Sequence, residues 1–150
     1  DTPINTITVG TWTHLAWAYD GSGLASGVTI WVDGVAQILR IVSNTFTGPL
    51  TNSNDFLIGA RDGPRAPYIG NLKQLAVYGF ELTQAEVDVI SVPATDLRTI
   101  SRTPASIWSL GDFPGDDSTG STGQLGDWVN GFTATPFNTE AGDLVLDVPV

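Results

Sequence analysis

Asp33-Gly34 separates two apolar, β-branched runs, Val28–Val32 and Val35–Val42. A two-residue link between antiparallel strands favours a type I′ turn, in which both central residues hold positive φ, and Asp-Gly suits that demand. The pair predicts a hairpin whose register is set by the turn. Upstream, Trp12, His14, Ala16 and Ala18 fall on one face of a strand, and Thr13, Leu15, Trp17 and Tyr19 on the other. Both faces are substantially apolar, so Trp12–Tyr19 is expected to be a central strand of a two-layer stack.

The rest of the chain continues in strands and turns. Ile4–Val9 alternates and reads as a short strand ending at Gly10. Phe56–Ile58 runs into Gly59, and Tyr68–Tyr78 is a long strand pattern interrupted by Gly70. Arg61–Pro67 holds two Pro and a Gly and is a turn or exposed loop. One helix start stands out: Thr83 suits an N-cap, Glu86 completes a capping box, and Leu82 with Val87 suits a hydrophobic staple. Pro93 stops that helix early. Residues 93–106 read as a linker or crossing segment. Ile107–Leu110, Trp128–Thr135 and Leu144–Val148 read as strands, and Phe113–Asp127 as a loop dense in Gly, Ser, Thr and Asp. About nine or ten strands with a single helix predict an all-β sandwich.

Composition narrows the partners. Sixteen acidic residues against six Lys and Arg give a formal charge of -10. Nucleic acid is disfavoured, because phosphate binding needs a basic surface. No apolar run reaches the roughly 18 residues needed to span a bilayer, so membrane insertion is not expected. The acidity has two readings, a well-solvated surface or loops that gather a divalent cation. There is no cysteine, which excludes thiolate catalysis and Cys-type zinc sites. At 150 residues the simplest organisation is one domain with a full core. The start at Asp1 suits a processed product or a segment of a longer chain.

Five motifs then occur in a characteristic order. They are W-x-H-hydrophobic-A (Trp12, His14, Leu15, Ala16), the corner Tyr19-Asp20-Gly21, and the hairpin Trp31-Val32-Asp33-Gly34. Leu57-Ile58-Gly59 follows, and then Ile69, Gly70 and Leu72 with the helix start Tyr78, Leu82, Thr83 and Glu86. This order resembles the laminin-G-like, concanavalin A-like lectin jelly roll, and implies a jelly-roll β-sandwich with one short helix. The order of halves departs from that family. Residues 1–92 resemble its second half, while 107–150, with the stretch Ile107–Gly131, resemble its opening. Three arrangements fit: a circularly permuted domain spanning 1–150, a piece of a tandem array, or halves exchanged between neighbouring chains in a homo-oligomer. The single completed sandwich is preferred, because the tail supplies strands that the front lacks.

The resemblance also sets the candidate chemistry. Glucanases of the superfamily carry an E-x-D-x-x-E strand, which places two carboxylates on one face for glycoside cleavage. Glu81, Glu86 and Glu140 form no such pattern, and Asp143 and Asp147 are the nearest strand-borne pair, so no catalytic residues are assigned. His14, the lone histidine, is expected to pack in a sheet with one nitrogen bonded to a neighbour. Asp112, Asp116, Asp117 and Asp127, with Ser118, crowd one Gly-rich loop and are the candidate calcium ligands. Lys73 counts against that site, because relatives that hold calcium carry an Asp there; no cofactor is therefore the primary expectation. A glycan site would use Asn52, Asn54, Asp55, Arg61 and Tyr68. The tryptophans are expected to be buried. The expected function is a non-catalytic structural or interaction module at an extracellular or virion surface, with assembly subunits as partners. A carbohydrate-binding module is the alternative, and a glycoside hydrolase ranks third.

Overall fold

In a computed structural model of the chain, Asp33 and Gly34 hold φ of +49° and +80°. The structure describes residues 2–3, 6–45, 48, 56–59, 68–108, 110, 125–126, 129 and 133–134. As the Asp-Gly pair predicts, Val32 and Val35 face each other across a two-residue turn. The chain divides into two units, one of Asp1–Leu50, Phe80–Ile100 and Pro149–Val150, the other of Thr51–Gly79 and Ser101–Val148.

The first unit is built on a three-stranded antiparallel sheet in the order β1 (Leu15–Tyr19), β2 (Val28–Val32), β3 (Val35–Ala36). β1 and β2 pair from Leu15↔Val32 to Tyr19↔Val28. The return strand is shorter than its sequence suggests. Beyond Ala36 the Gln37 amide bonds back to the Ile30 carbonyl at 2.8 Å, and Ile38 and Val42 lie exposed. No strand forms among the described residues of Ile4–Val9, where the Thr6 and Thr11 hydroxyls donate to the carbonyls of Pro3 and Thr8. Such local side-chain bonds hold the backbone in turns and compete with a ladder.

The predicted helix, α1 (Gln84–Ile90), begins at a complete capping box. Thr83 Oγ1 accepts from the Glu86 amide at 3.3 Å, and Glu86 Oε2 accepts from the Thr83 amide at 2.7 Å. Two of the four orphan donors of the first turn gain partners in this way. At the other end the Ser91 hydroxyl donates to the Asp88 carbonyl, and the helix stops short of Pro93. This unit buries Trp31, Val32, Val87, Ile90 and Leu97. Leu97 sits in a 3-10 turn, Leu97–Thr99, capped by Asp96. That turn gives structure to part of the 93–106 segment.

In the second unit, β4 (Leu75–Val77) pairs antiparallel with β5 (Ser106–Trp108). A tail strand is thereby joined to the front half within one chain. The long pattern Tyr68–Tyr78 yields only these three strand residues, since Gly70 and Gln74 take positive φ, +156° and +40°. At Gly70 the positive φ favours glycine, and a Cβ would fall 2.8 Å from the exposed Tyr68 ring, which would have to swing aside. Ile107 and Trp108 are buried, and Phe56 stacks on Trp108 with centroids 6.0 Å apart. Phe56–Gly59 forms no strand. A second pair in this unit joins β6 (Leu125–Gly126) to β7 (Thr133–Ala134), inside the predicted 128–135 strand and its preceding loop. Leu144–Val148 lies outside the described residues. Among the described residues these strands are all antiparallel, and with one short α-helix they form an all-β architecture.

Candidate functional site

The sheet of the first unit has two different faces, and the difference follows from strand alternation. Ala16 and Ala18 of β1 oppose Trp31 and Thr29 of β2 on the face turned to α1. There the Trp31 indole N–H donates to Gln84 Oε1 at 2.8 Å. Gln84 Nε2 in turn donates to the Gly34 carbonyl at 2.8 Å and to Asp88 Oδ1 at 2.6 Å. One glutamine side chain thus satisfies the sheet, the turn and its own helix. The sequence reading assigns it no such role.

The other face carries Leu15, Trp17 and Tyr19 opposite Val32, Ile30 and Val28. Burial was expected for the tryptophans, and Trp31 and Trp108 are buried. Trp12 and Trp17 are not: Trp17 is 67 % exposed, and its face-mate Leu15 is 47 % exposed. A groove of about 250 Å³ adjoins them, lined by Thr6, Ile7, Leu15, Trp17, Ile30 and Val32 among others, with no charged residue in its wall. The cause of the misreading is that alternation shows both faces to be apolar without showing which one a second element covers.

β1 is also an edge, not the expected central strand, among the described residues. Its hydrogen-bonding parity can be read from both ends. The Asp33 amide donates to the His14 carbonyl at 2.9 Å, and the Asp20 amide to the Gly27 carbonyl at 3.1 Å. Backbone groups alternate in direction along an antiparallel strand. Even-numbered Ala16 and Ala18 therefore point toward β2, and the amides and carbonyls of Leu15, Trp17 and Tyr19 point outward. No described strand pairs with them.

The flanks of β1 are held by acidic side chains. Asp33 Oδ1 accepts from the His14 amide at 2.8 Å, and Asp20 Oδ1 from the Ser22 amide at 2.8 Å. The Tyr19 hydroxyl accepts from the Gly23 amide and closes the Tyr-Asp-Gly corner. Hydrogen bonding from Ser22 holds the Asp20 carboxyl below its usual range. His14 is half-buried, and its Nδ1 has no hydrogen-bond partner among the described residues, so the expected bond is not made at that nitrogen. Burial lowers the His14 pKa, partly opposed by the Asp33 carboxylate. Asp33, Asp20, Glu86, Asp88 and Asp96 each hold a turn, a cap or a helix contact. Among the described residues no group of three His, Asp or Glu is placed to hold a metal.

The sequence-predicted sites fall mostly elsewhere. Asp112, Asp116, Asp117, Ser118 and Asp127 lie outside the described residues, as do Asn52, Asn54, Asp55 and Arg61. Tyr68 is 57 % exposed, with its amide on the Gly59 carbonyl at 2.7 Å, and Lys73 is half-buried.

A laminin-G family model, described as concanavalin A-like lectin/glucanases superfamily, matches residues 3–88. No curated protein and no solved structure matches the chain. The match takes in the strand, the Asp-Gly hairpin and the start of the capped helix, and covers more than half of the sequence. On these grounds the chain belongs to the concanavalin A-like lectin/glucanase superfamily.

Proposed function

We propose that this chain is a non-catalytic structural or interaction module that binds a protein partner through the open face and edge of β1, within an extracellular or virion surface assembly. The exposure of Trp17 on an uncharged face carries the reading. A contiguous exposed apolar patch on a globular domain marks an interaction surface, and tryptophan is the side chain most enriched at interface hot spots. On a chain with formal charge -10, an uncharged patch is where another surface approaches with least repulsion. The acidic side chains at the ends of β1, Asp20 and Asp33, are engaged in turns, which suits a scaffold role.

Trp17 also favours a second reading, since an exposed indole can stack on a sugar ring. The groove beside it offers little else to a glycan. Its wall has only the hydroxyls of Thr2 and Thr6 besides apolar side chains, whereas sugar recognition needs several placed amides and carboxylates. A glycan array, with polysaccharide hydrolysis assayed alongside, separates the two. Wild type and Trp17→Ala are expected to give the same unselective background and no turnover. Selective binding that is lost in Trp17→Ala would overturn the interaction reading in favour of a lectin.

A further inference from the structure

We infer that the partner for the β1 edge is a second copy of this chain, paired antiparallel with it about a twofold axis at Trp17. The inference rests on reading this surface as an interaction site. It deepens that reading by naming the occupant and the register.

Three observations fix the pairing. The first is backbone parity. An isologous contact must be complementary to itself, so residue i meets residue j and j meets i. With the axis at Trp17, Leu15 meets Tyr19 of the second copy, and Trp17 meets its own equivalent. These are the three β1 residues whose amides and carbonyls point outward, as the bonds at His14 and Asp20 show. Every outward group in the strand therefore gains a partner. A shift of the axis to Ala16 or Ala18 pairs two edges whose outward groups coincide for a shorter stretch.

The second observation is charge. Leu15–Tyr19 contains no charged residue, so two acidic chains can bring these strands together without opposing carboxylates. The same register extends one residue at each end, where His14 meets Asp20 of the second copy. The chain's one imidazole thus faces a carboxylate, not a like charge, at both flanks of the contact. Like charges directly opposed destabilise a strand pair, and this register brings none together.

The third is the exposed apolar surface. Opposed residues of an antiparallel pair project to the same face. Leu15 and Trp17, exposed in one copy, would lie beside Tyr19 and Trp17 of the second and lengthen the groove face across the axis. Pairing also removes an uncharged five-residue edge from solvent, which a lone domain would otherwise have to protect.

The absence of cysteine makes the contact directly testable. Equivalent Cα atoms in a hydrogen-bonded pair stand about 5.5 Å apart, within the roughly 4.4–6.8 Å that a disulfide bridges. The full chain is compared as wild type, Trp17→Lys, Trp17→Cys and Val9→Cys, the last at a fully exposed position outside β1. Light scattering and sedimentation should give twice the chain mass for wild type, falling toward one chain on dilution. Trp17→Lys should be monomeric with an unchanged circular dichroism spectrum. Under mild oxidation Trp17→Cys should cross-link faster than Val9→Cys by roughly a hundredfold, as the effective concentration of a formed contact implies. The cross-linking comparison does not depend on how Trp17→Lys folds. Wild type that stays monomeric at all concentrations, or equal cross-linking at both cysteines, overturns the pairing. That failure is distinct from failure of the interaction reading, which the glycan array decides.

Discussion

The indole N–H of Trp31 donates to the side-chain oxygen of Gln84 at 2.8 Å, joining β2 to α1 across fifty-three residues of sequence. The same amide group reaches the Gly34 carbonyl, so the hairpin turn and the helix are fixed to one another by one side chain. That arrangement leaves the helix-covered face of the sheet closed and the Trp17 face open.

Gln84→Leu should destabilise the protein by about 1–3 kcal/mol, because it strands a buried indole N–H and a turn carbonyl. Trp31→Phe removes the donor from the other side. In a urea-denaturation double-mutant cycle the two changes together should cost less than the sum of the single costs. Strict additivity would mean that the bond contributes nothing.

Gly34→Ala should cost about 1–2 kcal/mol for the left-handed backbone alone, since φ is +80° there. A further cost arises because its Cβ would stand 2.7 Å from Ser91 Oγ. Adding Ser91→Ala should recover the second part and not the first. Equal stability of Gly34→Ala with and without Ser91→Ala would contradict the contact.

Asp96 predicts the direction of an acid response. Hydrogen bonding from Arg98 holds its carboxyl below the ordinary value of 3.8, against a smaller opposing effect of burial. A carboxyl lowered in the folded state contributes stability that is complete above pH 3.8 and is lost as pH falls through its folded value. Asp20 acts in the same sense. Asp96→Asn keeps a cap for the 3-10 turn but loses the titration, so its acid-denaturation limb should be shallower than that of wild type, not flat. An unchanged limb would contradict this role for Asp96.

What could be read from the sequence was what local chemistry determines. Asp33-Gly34 dictates its turn because the φ demand belongs to those two residues, and Thr83 with Glu86 dictates a helix start because the capping bonds span one turn. The family resemblance, carried by the same motifs, also holds. Features set by distant partners were hidden. Alternation in Trp12–Tyr19 describes two apolar faces but not that Trp31 would cap one through Gln84, nor that β1 would form an edge. The apolar run Val35–Val42 promised a long strand, yet pairing past Ala36 depends on a neighbour and not on propensity. Gln74 broke the Tyr68–Tyr78 pattern through a positive φ that nothing in its residue type announces.

The central claim, that the outer edge of β1 is open to a partner, is tested most directly by residue-resolved amide hydrogen exchange along Leu15–Tyr19. In dilute protein the Ala16 and Ala18 amides, bonded to β2, should exchange slowly, and those of Leu15, Trp17 and Tyr19 rapidly. Raising the concentration should slow the odd-numbered set and leave the even-numbered set unchanged. Odd-numbered amides as protected as their neighbours in dilute protein would show the edge already covered within one chain, and would contradict the account.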